Sequence, residues 1–202
     1  LIQIDNGSLI KSNFVVLATG VDDVLPMIDG TNEMWGKGVF SCAYCHAYEL
    51  SNKHVSVYAS GDYGIAEAIK LLSWAAKVTL LVEGGNWIED QHRASLADRN
   101  IDIIYNQVAS FRKGSDSGCV INFTDGESLK CDALFLRPKI VPRVALAGQL
   151  GCGIDAQGYL TLDRFGRTEC RGLYVCGDAS GQLFQAIGAA ADGNKVGRWL
   201  HH

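Results

Sequence analysis

Two cysteines three positions apart, in Ser41-Cys42-Ala43-Tyr44-Cys45-His46, are the densest chemistry in the sequence. Two thiols within one turn can close a disulfide, and at a helix amino terminus the dipole and a protonated neighbour such as His46 favour the thiolate that attacks disulfides. The spacing is that of a redox pair. Three other readings use the same residues. Structural zinc needs a second Cys/His pair at ligand spacing, which the sequence lacks. Haem attachment through C-x-x-C-H needs an oxidising compartment and an axial partner, and two inert buried cysteines need no chemistry at all. In a turn of this kind the first cysteine is expected to be the more exposed and to attack, with Cys45 deeper and resolving the mixed disulfide. The remaining cysteines, Cys119, Cys131, Cys152, Cys170 and Cys176, are expected to be core or surface bystanders.

A second set of residues suits phosphate and ribose. Ala59-Ser60-Gly61-Asp62-Tyr63-Gly64 matches a dinucleotide loop with Ala59 at the first glycine position, Gly61 at the position of close backbone approach and Gly64 at the helix-packing position. Glu83 follows Gly61 by 22 residues, where a carboxylate can hydrogen-bond a ribose 2′-hydroxyl, which favours NADH over NADPH. An ordinary polar residue at a strand end reads equally well. The loop Glu83-Gly84-Gly85-Asn86-Trp87 has no arginine for a 2′-phosphate, and Arg93 is the first candidate. Nearer the carboxyl end, Leu173-Tyr174-Val175-Cys176 is a short apolar strand running into Gly177-Asp178, where Asp178 can accept from a sugar or ribityl hydroxyl. The small residues from Gln185 and Ala186 to Gly193 would let a flat ring approach a helix amino terminus, or would pack a tight core helix.

The elements that must position these residues show a pattern. Val55–Tyr58, a helix from about Asp62 to Ala75, and Val78–Val82 form a βαβ unit, with Ile65, Ala68, Ile69 and Leu72 on one helix face. Residues 4–17 align without a gap on 123–136, an offset of 119, and each copy reads as a hairpin around a turn (Asn6-Gly7, Asp125-Gly126) followed by a buried strand. The second copy closes the βαβ unit, so the first closes an earlier unit of the same kind. The expected fold class is α/β, tandem dinucleotide-binding (Rossmann-like) three-layer folds, one nearly complete and one truncated. The segments expected are 1–20 and 139–202 in one domain and 21–138 in the other.

Composition narrows the function classes. A chain of 202 residues, 48% hydrophobic and 20% charged, suits one or two globular cores. No apolar run approaches the roughly 18 residues of a membrane span, and a net charge of -4 offers no basic footprint, so neither membrane nor nucleic acid is an expected partner. Seven cysteines with one short-spaced pair fit a reducing cytoplasm better than a secreted disulfide framework. The chain begins without Met and ends His201-His202, which reads either as native sequence or as the start of a purification tag, so artificial ends are one expectation.

Together the motifs resemble the thioredoxin reductase family over essentially the whole chain. Ala18-Thr19-Gly20 is similar to the end of the first FAD segment, Cys42-Ala43-Tyr44-Cys45 to the redox pair in the nucleotide domain, and Gly177-Asp178 to the second FAD segment. Cys-Ala-Tyr-Cys-His-Ala-Tyr-Glu is most similar to the Cys-Pro-Tyr-Cys-His-Gly-Tyr-Glu branch, which includes gliotoxin-type dithiol oxidases. Three landmarks depart from the family pattern: its FAD loop is missing, Ala59 replaces a glycine, and no His-Arg-Arg follows the second strand. The resemblance implies FAD held through Thr19, Gly20, Gly177, Asp178, Gln185 and Ala186, and NADH or NADPH at Gly61, Asp62, Gly64 and Glu83. It further implies Cys45 facing the flavin, Cys42 attacking a substrate disulfide, and His46 moving a proton. The partner it implies is a thioredoxin-like protein or a small-molecule disulfide or dithiol, and the assembly a homodimer when full length. Two competing expectations are a dithiol oxidase in which oxygen reoxidises FAD, supported by the altered loop, and a flavin-free nucleotide-binding or regulatory domain.

Overall fold

The computed structural model describes residues 1–85, 87–114, 118–182 and 184–200. Asn86 and the terminal His201-His202 lie outside the described residues. The chain divides into a split unit, Leu1–Val24 with Ile140–His202, and a central unit, Leu25–Lys139.

The split unit begins with β1 (Ile2–Gln3) and β2 (Leu9–Ile10), an antiparallel pair, then β3 (Val15–Leu17) and β4 (Val21–Val24). The central unit runs α1 (Thr31–Met34), β5 (Val39–Phe40), α2 (Ala43–His46), β6 (His54–Ala59), α3 (Gly61–Leu71), β7 (Lys77–Val82), α4 (Asp90–Ala97) and β8 (Asp102–Ile104). It continues with β9 (Val108–Lys113), β10 (Cys119–Phe123), β11 (Ser128–Cys131) and β12 (Ala133–Leu136). Its main sheet is parallel, in the order β5-β12-β6-β7-β8, and β9, β10 and β11 form an antiparallel layer. The runs Val55-Ser56-Val57 and Val78–Val82 are buried because helices and the antiparallel layer cover the sheet, as continuous apolar strands in parallel sheets require. The βαβ expectation holds. In α3, Ile65 and Ala68 are buried and Ile69 and Leu72 pack partly against the same core. The helix stops at Leu71, short of Ala75, because the following turns close through Ser73 N–H to Lys70 and Trp74 N–H to Leu71, while the Trp74 carbonyl accepts from Asn52 N–H.

The chain returns to the split unit through β13 (Lys139–Pro142), paired with β4, then α5 (Ala145–Gly148), β14 (Leu173–Val175), a 3-10 turn at Gly177–Ser180 and α6 (Ala186–Trp199). Strands β3 and β14 pair in parallel with Leu17 opposite Val175. The two hairpins share one turn geometry. The Asn6 carboxamide oxygen accepts from Ser8 N–H at 2.9 Å and the Asp125 carboxylate from Glu127 N–H at 3.0 Å, with Gly7 and Gly126 both at positive φ. Cys152 and Cys170 are disulfide-bonded, which corrects the expectation that both are bystanders. Eighteen residues separate them in sequence, and the packing of α5 against β14 brings them together in one small core. No helix among the described residues is long and apolar enough to cross a membrane.

Candidate active site

Cys42 caps α2, and its sulfur accepts from Cys45 N–H at 3.2 Å while bonding to the Cys45 sulfur, with Cα atoms 5.3 Å apart. Helix α2 is a single turn. Its dipole is correspondingly small, so the support a thiolate at Cys42 receives is chiefly this local N–H. Ala43 and Ala47 anchor the turn in the core, and the Tyr44 ring meets Trp74 edge-on at 6.1 Å. Exposure reverses the expectation: Cys42 is half-buried and Cys45 exposed. Cys42 sits at the entry from β5, beside buried Ala43, whereas Cys45 projects from the outer side of the turn. His46 is exposed and lies in the last turn of α2, its ring stacked on Phe40 at 4.3 Å.

The nucleotide loop joins β6 to α3. Gly61 has φ +62 with open space where a Cβ would stand, which suits close approach of a ligand to the backbone. A Cβ on Gly64 would come within 3.1 Å of the Ala59 Cβ, so Gly64 is the packing glycine, and Asp62 is exposed in the first turn. The strand order switches sides at this point, since β6 leads to β7 on one side while β12 lies on the other, and such a switch point opens a crevice at the strand ends. A cleft of about 240 Å³ occupies it, lined by Tyr58, Ser60, Tyr63, Glu83, Arg137 and Lys139 among others. The loop after β7 carries no arginine, as its sequence states, but the arginine that lines this cleft is Arg137 and not Arg93. Arg137 stacks on Tyr63 at 4.5 Å, while Arg93 is engaged with Tyr105, Asp90 and the Ile88 carbonyl. Burial, with the Glu83 carboxylate accepting its hydrogen bond, pushes the Tyr58 phenol up to about 12, so Tyr58 stays a donor to Glu83. The cysteine pair is at the other end of α3, where Tyr44 meets Lys70 and Trp74, roughly 15 Å along an eleven-residue helix.

In the split unit, the parallel pairing of β3 and β14 sets Thr19-Gly20 and Gly177-Asp178 at one sheet edge. The Asp178 Oδ1 atom is buried and has no hydrogen-bond partner among the described residues, which fits an acceptor for a ribityl hydroxyl. Gly177, at φ +68, brings this turn against Ala189 of α6. Gln185 caps α6 without a side-chain bond, and Gln185 and Ala186 are exposed at its amino terminus. Thr19 donates to the Arg143 carbonyl at 2.5 Å, so its hydroxyl is engaged within the unit. Asp192, absent from the sequence-based set, accepts from Gly177 N–H and the Ser180 hydroxyl, each at 3.0 Å, and so holds the turn that presents Asp178. Its buried place on α6 follows the helical period, but its partners are remote in sequence.

The family model for pyridine nucleotide-disulphide oxidoreductases matches residues 2–193. The chain belongs to that family. Within it, a thioredoxin reductase of Dictyostelium discoideum is 31% identical over 201 residues, covering 91% of this chain and 61% of its own length. A thioredoxin reductase of Listeria innocua is 26% identical over 200 residues, covering 93% of this chain and 61% of its own. The crystal structure of an oxidoreductase from Agrobacterium tumefaciens superposes with a TM-score of 0.89 at 30% identity, covering 98% of this chain and 67% of that one. The chain thus spans a little over three fifths of the length of the two curated relatives.

Proposed function

We propose that this chain forms part of a thioredoxin reductase-like flavoprotein that passes electrons from a reduced nicotinamide, through FAD, to the Cys42/Cys45 disulfide and on to a thioredoxin-like protein or a small-molecule disulfide. The observation that carries the reading is the Cys42–Cys45 bond closing the first turn of α2 at an accessible position. Bound flavin would supply hydride acceptance and delivery of an electron pair to that bond. Once both are thiols, the Cys42 thiolate attacks the substrate disulfide, a Cys42–substrate bond forms, and one substrate thiol leaves with a proton from the His46 side of the turn. Cys45 then attacks Cys42, restoring the disulfide and releasing the second thiol. The exposure of Cys45 leaves its sulfur open to a flavin ring, while the exposure argument for Cys42 as attacker falls away and its role rests on the family resemblance.

In this reading Asp178, Gln185 and Ala186, with the Thr19-Gly20 edge, hold FAD, and the split unit is a partial form of its dinucleotide fold, as its two-stranded sheets suggest. Gly61, Asp62, Gly64 and Glu83 hold the nicotinamide nucleotide, with Glu83 on the ribose and Arg137 and Lys139 supplying positive charge to the phosphates. The assembly is a cytoplasmic homodimer. Ala59, buried against Gly64, favours the reverse reading, a dithiol oxidase that uses oxygen. Anaerobic mixing with NADH separates the two, because only the reductase bleaches its flavin.

The test of the cysteine roles is spectroscopic. With FAD bound, Cys42→Ser leaves the Cys45 thiolate beside the oxidised ring and gives a long-wavelength absorbance band, whereas Cys45→Ser lacks the band and accumulates mixed disulfides through Cys42. Either substitution lowers disulfide turnover by about a thousandfold or more, the scale of losing a nucleophile. Full turnover in the double variant would refute the reading.

A further inference from the structure

Cys119 and Cys131 stand directly opposite each other on the antiparallel strands β10 and β11. Residues so paired have Cα atoms about 4.5–5.5 Å apart, within the range that a disulfide spans. Both are free thiols, 1% and 7% exposed, and they are hydrogen-bonded to each other. The Ser56 hydroxyl, fully buried on β6 and without a hydrogen-bond partner among the described residues, acts on the Cys131 thiol electrostatically. A cleft of about 400 Å³ lined by His54, Lys113, Lys130 and both cysteines reaches the pair from solvent. Nothing in the Cys42/Cys45 chemistry uses these thiols.

We propose that Cys119 and Cys131 are a second dithiol, which hydrogen peroxide converts to a cross-strand disulfide. The hydrogen bond donated by Cys119 and the Ser56 hydroxyl hold the Cys131 thiol below its ordinary range against the opposing effect of burial, while the same bond and burial push Cys119 up. Cys131 is therefore the thiol of the pair that ionises first, while Cys119 keeps its proton. The Cys131 thiolate attacks one peroxide oxygen and the O–O bond breaks. Hydroxide leaves and takes up a proton to become water, and Cys131 becomes a sulfenic acid. The Cys119 sulfur then attacks the Cys131 sulfur. The S–S bond forms as the S–O bond breaks, and the Cys119 proton leaves with the hydroxyl as a second water. Two thiols are oxidised by two electrons and one peroxide is reduced to two waters. Burial selects the oxidant, since a molecule of two heavy atoms can enter where the active-site loop of a protein disulfide cannot.

The experiment uses the reduced chain, freed of reductant, treated with hydrogen peroxide, denatured, alkylated and mapped by peptide mass. A peptide cross-linked through Cys119 and Cys131 is expected with peroxide, lost on reduction, and retained in a Cys42→Ser/Cys45→Ser background. Cys131→Ser should slow loss of the Cys119 thiol by about tenfold or more, because the thiolate and not the thiol reacts. Cys119→Ser should instead leave Cys131 trapped as a dimedone-reactive sulfenic acid. If peroxide leaves both cysteines alkylatable, or drives Cys131 to sulfinic acid without a cross-link, or links either one only to another cysteine, the proposal is wrong. The mapping of the unsubstituted chain decides this whether or not the variants fold.

Discussion

In the central unit the residues offered for chemistry hang on a five-stranded parallel sheet with buried side chains on both faces, Val57, Leu80 and Phe135 in one core and Leu81 and Leu134 in the other. In the split unit they stand on two-stranded sheets, and Leu9, Phe14, Leu146, Leu150 and Ile187 are exposed. Two-stranded sheets are marginal by themselves. Beside a small core around Leu17, Val175 and Ala179, the Asp178 turn and its surroundings are held by polar and covalent bonds: Asp192 on Gly177 and Ser180, Arg143 on Asp22, Glu169 on Gly153 N–H, and the Cys152–Cys170 bond. One unit positions its site by a large core and the other adds specific bonds to a smaller one, so the two should respond to different substitutions.

The largest effect expected is in the central core. Phe135→Ala, on the strand between β5 and β6, should cost about 3–5 kcal/mol in urea unfolding followed by tryptophan fluorescence. Leu146→Ala, at a side chain 58% exposed, should cost no more than about 0.5 kcal/mol. Equal losses would erase the distinction between the units.

Next, Cys152→Ser/Cys170→Ser should cost about 3 kcal/mol, the scale for a closed loop of this length, and should raise hydrogen exchange in residues 152–170 of the split unit but not in β6 or β7. Uniform change across both units would contradict the division.

Asp192→Ala removes the acceptor of two bonds, and leaving buried donors unmet costs about 1–3 kcal/mol. Flavin retention should fall with it, while nucleotide binding at the Glu83 cleft, read by NADH fluorescence, should not change. A loss of both together would show that the two sites are not separately supported.

The smallest effect expected is a pH dependence within the central unit. Burial, then Lys77, holds His54 below its ordinary value near 6.5, with Asp132 and Asp102 opposing. The unfolded chain therefore binds the proton first. Stability is complete above about pH 6.5 and falls as pH drops through the folded value, because the unfolded state binds more protons there. His54→Gln should flatten that acid limb in thermal melts; an unchanged limb would mean that His54 does not carry it.

Much of this molecule was legible one element at a time. The Cys42/Cys45 spacing, the apolar strands and period-3.6 helix of the βαβ unit, the paired turns at Asn6-Gly7 and Asp125-Gly126 and the apolar strand before Asp178 are local patterns, and each formed where backbone geometry and side-chain period require. What the sequence could not supply was adjacency between distant segments. Arg137 entered the Glu83 cleft because β12 lies beside β6, and Asp192 met Gly177 because α6 folds back on the 3-10 turn. Cys152 reached Cys170, and Cys119 reached Cys131, through helix packing and strand register. The exposure order of Cys42 and Cys45 likewise followed from which side of one turn met the core. Local propensity acts over a few residues, whereas sheet order and register are decided by burying apolar faces that belong to the whole chain.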